Sequence, residues 1–82
     1  MNQIKLLFFA TLRDQVGLKS LEIEIPPSMC VGELKSMVSS KYPNLAGTMD
    51  TVVVSINREF AFDDYMIPQN AEVAMFPPVS GG

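Results

Sequence analysis

Residues 20–41 read SLEIEIPPSMCVGELKSMVSSK, and their hydrophobic period changes once. Over 20–25 apolar and acidic residues alternate. That pattern predicts a strand with Leu21, Ile23 and Ile25 facing inward and Glu22 and Glu24 facing water. Pro26 and Pro27 end it. Over 31–41, Val31, Leu34 and Val38 recur at helical spacing with Met37 beside them. Cys30 falls at the N-cap with Glu33 three residues on. A thiol is a poor substitute for the hydroxyl of a capping box, so the box is half present. The residue before Pro43 disfavours helical geometry, which stops the helix near Lys41 or Tyr42.

Working outward, residues 3–9 (QIKLLFF) predict a strand with Ile4, Leu6 and Phe8 on one face and Leu7 and Phe9 on the other. Apolar residues on both sides fit a central strand, or one face reserved for a partner. Residues 10–16 predict a short helix stopped by Gly17. Strands one and two then form an antiparallel pair joined by a helical excursion. After a loop through Asn44 and Gly47, the β-branched run 51–56 predicts a buried strand. Asn57-Arg58-Glu59 turns into a short strand over 60–62. Residues 63–71 form a loop with a turn at Gln69-Asn70, and 72–76 the last strand.

The order is strand, strand, helix, strand, short strand, strand. It predicts an α+β, ubiquitin-like β-grasp over 1–76, a mixed sheet crossed by one main helix. If its first and last strands are neighbours, they run parallel. Residues 77–82 form an extended, flexible C-terminal tail.

Composition narrows the chemistry. The chain has 82 residues, 48% of them hydrophobic, which fits one folded domain. Its apolar runs are far short of a membrane span, and the N-terminus lacks a signal-peptide cleavage pattern. The single cysteine excludes an internal disulfide and suits a reducing cytoplasm. Net charge is −3 with six scattered basic residues, which argues against nucleic acid as a partner. Histidine is absent, so a zinc site or a histidine-activated nucleophile is not expected. Gly17, Gly32 and Gly47 are isolated and make no phosphate loop.

The sequence finishes FPPVSGG (76–82). Pro77 and Pro78 keep the backbone extended, and six residues can reach roughly 20 Å at about 3.3 Å each. Val79 offers an apolar contact in a groove. Gly81 and Gly82 lack Cβ atoms and can thread a narrow channel. The terminal carboxylate is then the functional group, presented by the folded body.

LLFFATLRDQVG (6–17), VGEL (31–34), INRE (56–59) and EVAMFPPVSGG (72–82) together resemble the small subunits of molybdopterin synthase, sulfur carriers of the ThiS/MoaD ubiquitin-like family. The resemblance covers essentially the whole chain, and FPPVSGG is its most specific part. Cys30 departs from the Thr or Ser common in the family, and QNAE (69–72) from a DGDE-like turn. Neither touches the tail.

The resemblance implies that an E1-like activating enzyme uses ATP to adenylate Gly82, that sulfur transfer makes a thiocarboxylate there, and that no cofactor is bound by the carrier itself. Pro77, Pro78, Val79, Ser80 and Gly81 would thread the channel into the large synthase subunit, where sulfur passes to a cyclic pyranopterin precursor. Two small and two large subunits would form a heterotetramer. Phe9, Phe60 and Phe76 match positions the family uses to dock on partners. Alternatives are a carrier for thiamine or tRNA thiolation, a ubiquitin-like modifier and a passive interaction module.

Other candidates read more plainly. Cys30 is a small half-buried residue near a cap rather than a sulfur relay. Arg13, Lys35, Lys41 and Arg58 form a solvated surface. Asp63 and Asp64 are turn residues, and the methionines are core filler.

Overall fold

The computed structural model describes residues 2–78. Its elements are β1 (Asn2–Phe8), α1 (Ala10–Val16), β2 (Ser20–Ile25), α2 (Val31–Lys41), two single 3-10 turns (Pro43–Leu45 and Met49–Thr51), β3 (Val53–Ile56), β4 (Glu59–Ala61) and β5 (Glu72–Phe76). The strands form one sheet in the order β2-β1-β5-β3-β4. β1 and β5 run parallel in register Lys5–Glu72 to Phe8–Met75, and the other neighbours are antiparallel. The architecture is the mixed β-grasp sheet expected from the element order.

The core lies between one sheet face and α2. Ile4, Leu6 and Phe8 of β1, Val73 and Met75 of β5, and Val54 and Ile56 of β3 are buried on that face. Val31, Leu34 and Val38 pack on them from α2. Burying a side chain of leucine size stabilises by about 1.5–3 kcal/mol. A domain this small buries only about 60% of the surface its unfolded chain exposes, so each such residue matters.

Both ends of α2 follow local chemistry. At its start Glu33 Oε1 accepts from the Cys30 N–H at 3.1 Å, and the thiol occupies the hydroxyl position of the box as a weak acceptor. The next two N–H groups, which a helix cannot satisfy itself, are taken by a strap over 62–67. Val31 donates to the Tyr65 carbonyl at 3.0 Å and Gly32 to that of Asp63 at 2.9 Å. Gly32 suits this approach, because a Cβ there would lie 3.3 Å from the Asp63 Cβ. α1 stops at Gly17, whose φ of 84° is left-handed and whose N–H donates to the Arg13 carbonyl at 2.8 Å.

The structure departs from the sequence reading at several points, among them the α2 capping box, both halves of which are present, and Met66, which is 53% exposed rather than core. β1 ends at Phe8, not Phe9, because Ala10 turns the chain into α1 with φ 52°. The segment before β3 is two 3-10 turns that sink Leu45 and Met49 into the core, which starts β3 at Val53. The turn after β3 is only Asn57-Arg58, both at positive φ, so Glu59 already pairs with Ile56 in β4. Lys35 is not a solvated residue. Its side chain is 14% exposed and its Nζ lies 2.9 Å from Asp63 Oδ1, which ties α2 to the strap.

Candidate functional site

The sheet has a second face, turned away from α2. Strand alternation puts Leu7, Ser55, Phe60, Ala74 and Phe76 on it, as the pairs Leu7–Ala74, Ser55–Ala74 and Ser55–Phe60 show. Among the described residues no helix packs over them, and with Phe9 they line a groove of about 440 Å³. The two-sided apolar pattern of β1 is therefore explained by a core face and an open face. The signal for Leu7 was that alternation; nothing local marked Ser55 or Ala74.

The three phenylalanines expected at a partner interface share this groove. Phe9 leaves the end of β1 and is 40% exposed; Phe60 in the outermost strand is 82% exposed. Phe76 ends β5 and is half-buried. Its ring lies parallel to that of Phe9, with centroids 4.6 Å apart and 13° between the planes. The Phe9 N–H donates to the Met75 carbonyl at 3.2 Å, which holds the first aromatic beside the last strand.

The polar rim of the groove is set by the β3–β4 turn. Asn57 accepts from the Glu72 N–H through Oδ1 at 2.9 Å and donates its own N–H to the Glu72 carbonyl at 2.8 Å. Arg58 Nε stands 3.8 Å from Glu72 Oε1 with both side chains in solvent, an arrangement worth well under about 1 kcal/mol.

Pro77 and Pro78 follow directly from β5, at the edge of this groove. Val79, Ser80, Gly81 and Gly82 lie outside the described residues. Among the described residues no cluster of three His, Cys, Asp or Glu side chains could hold a metal, and no helix is long and apolar enough to cross a membrane. Cys30 is a half-buried single thiol at the far end of the core, by Met66. Sequence reasoning missed Phe62, which is 85% exposed just beyond β4.

Residues 6–82 match the ThiS family model, which spans the sheet, the groove and the Gly-Gly ending together. The chain belongs to the ThiS family. It is 32% identical over 84 residues to the molybdopterin synthase sulfur carrier subunit of Dictyostelium discoideum, covering 99% of this chain and 98% of that protein. It is 31% identical to small archaeal modifier protein 3 of Haloferax volcanii, covering 98% and 99%. The crystal structure of SAMP1 from Haloferax volcanii superposes with a TM-score of 0.82 at 25% identity, covering 98% and 99%.

Proposed function

We propose that this protein is the sulfur carrier subunit of a molybdopterin synthase, with Gly82 as the carrying residue. The observation that bears most weight is structural. β5 is the central strand of the sheet, and it delivers Pro77-Pro78 beside an open aromatic groove rather than into the core. Full-length similarity to carrier subunits supports the same reading.

The chemistry follows from a carboxylate at the end of a tail. It attacks the α-phosphorus of ATP on the activating enzyme, and diphosphate leaves. A sulfur nucleophile then adds at the acyl carbon and AMP departs. When that nucleophile is a donor persulfide, the product is an acyl disulfide; a thiol of the sulfur-transfer partner attacks its donor-side sulfur, forms a disulfide there and releases Gly82 with sulfur where one carboxylate oxygen was. In the large subunit this sulfur attacks an electrophilic carbon of the pyranopterin precursor and displaces an oxygen leaving group from it, so that the acyl sulfur becomes a thioester. Water finally cleaves the acyl–sulfur bond, restoring the carboxylate and leaving sulfur on the product. Catalytic side chains belong to the partners. Tail residues Pro77 to Gly81 fit a narrow channel, which keeps the thioacid from water. Phe9, Phe60 and Phe76 hold the body against the partner while the tail is inserted.

A second reading, a protein modifier joined through Gly82 to lysines, is favoured by the similarity to an archaeal modifier. Intact mass after incubation with activating enzyme, ATP and a sulfur donor separates the two. The carrier gains about 16 Da as oxygen is exchanged for sulfur. High-mass adducts favour the modifier, and an unchanged mass overturns both. Deleting Gly82 abolishes the gain without lowering the melting temperature.

A further inference from the structure

Phe62 has no part in the groove beside Phe9 and Phe76. It lies in a second one, of about 740 Å³, bounded by the start of β3, the end of β4, the residues that follow it and Lys35 of α2. Phe60 lines both. β3 begins at Val53, yet β4 pairs only from Val54 onward. On the β4 side the start of β3 has no strand partner among the described residues, and Val52 and Val53 floor the second groove. Phe60 and Phe62, two positions apart and 82% and 85% exposed, are rarely left to water together without a use.

The rim is acidic. Asp50, Asp63 and Asp64 border the groove with Lys35 the single base. Lys35 is spent on Asp63 at 2.9 Å, so Asp50 and Asp64 face outward without an ion pair among the described residues. An apolar floor inside a carboxylate rim complements a segment that carries an apolar side chain flanked by arginine or lysine.

We propose that this groove docks a basic, apolar-anchored segment of the large synthase subunit, as a continuation of the Phe9–Phe60–Phe76 contact around the sheet edge. The inference rests on the carrier-subunit reading above. A subunit interface needs about 800 Å² from each side. The aromatic groove at the tail root is a small part of a 5067 Å² surface, and Phe60 carries the apolar surface unbroken into the second groove. The resident large subunit is favoured over the activating enzyme because a lasting assembly needs this extra area more than a passing encounter does.

The test uses the full chain and the purified large subunit. Phe62→Ser and the pair Asp50→Asn, Asp64→Asn are titrated by calorimetry at low and high salt, with circular dichroism as the folding control. Phe62→Ser weakens binding tenfold or more. The double substitution weakens it at low salt and flattens its salt dependence. Wild-type affinity and salt dependence in both variants overturn the second groove. If Phe60→Asp still weakens binding in that case, the carrier-subunit reading survives without it. A thiocarboxylation rate on the activating enzyme that falls as far as the large-subunit affinity overturns the choice of partner. No binding by the unaltered chain overturns the inference together with the reading beneath it.

Discussion

The rings of Phe9 and Phe76 stack at 4.6 Å across the parallel pair β1 and β5. They come from opposite ends of the sequence, one just after the first strand and one at the end of the last. The stack closes the sheet at the point where Pro77 leaves it. It joins the fold to the tail, and a substitution in it reports on both.

Offset aromatic pairs are worth about 0.5–1.5 kcal/mol beyond the area they bury. A double-mutant cycle with Phe9→Ala and Phe76→Ala, read by urea unfolding, gives a coupling in that range. Strict additivity would show that the two rings are neighbours without mutual stabilisation.

Phe60→Asp leaves the fold intact, since the side chain is 82% exposed. Its melting temperature stays within about 2 °C of the unaltered chain. Affinity for the large subunit falls at least tenfold, a loss of about 1.4 kcal/mol or more, as truncating an interface anchor does. Equal affinity by calorimetry removes Phe60 from the interface.

Asn57 combines a left-handed backbone, φ 51°, with the hydrogen bond from the Glu72 N–H. Asn57→Ala loses the acceptor and strains the turn, and costs about 1–2 kcal/mol in chemical denaturation. Asn57→Gly keeps the backbone freedom and loses only the hydrogen bond, so it costs less. Equal losses would mean that the left-handed geometry contributes nothing.

Cys30→Ser puts the preferred hydroxyl at the N-cap of α2. Stability rises by up to about 0.5 kcal/mol. Sulfur loading of Gly82, followed by mass, keeps its rate. A collapse of loading with the fold preserved would make the thiol a relay after all.

Much of the fold was legible because its boundaries carry local signals. Gly17 after α1, the proline pair after β2, Tyr42-Pro43 after α2 and Pro77 after β5 each stop an element by backbone geometry. The 3-10 turns were not legible, since Leu45 and Met49 are drawn inward by a core assembled from distant strands. The β4 register was misread by one residue for a related reason. Asn57 advertises a left-handed turn, but Arg58 at φ 73° does not, and only the pairing with β3 holds it there. The Lys35–Asp63 pair joins a helix to a loop 28 positions away, which no spacing rule encodes. At the candidate site the three aromatics were visible as residue types, but their meeting in one groove depends on strand order. Phe62 was hidden because the expected β4 included it as an ordinary strand residue.

The placement of β5 has a mechanical side. Drawing the chain by its end from Pro77 loads the ladders to β1 and β3 together, and in shear, because the strand has a neighbour on each side. An edge strand would peel away one hydrogen bond at a time. For the carrier role proposed above, in which the tail would enter one partner after another, this anchorage is the one that repeated tugging harms least.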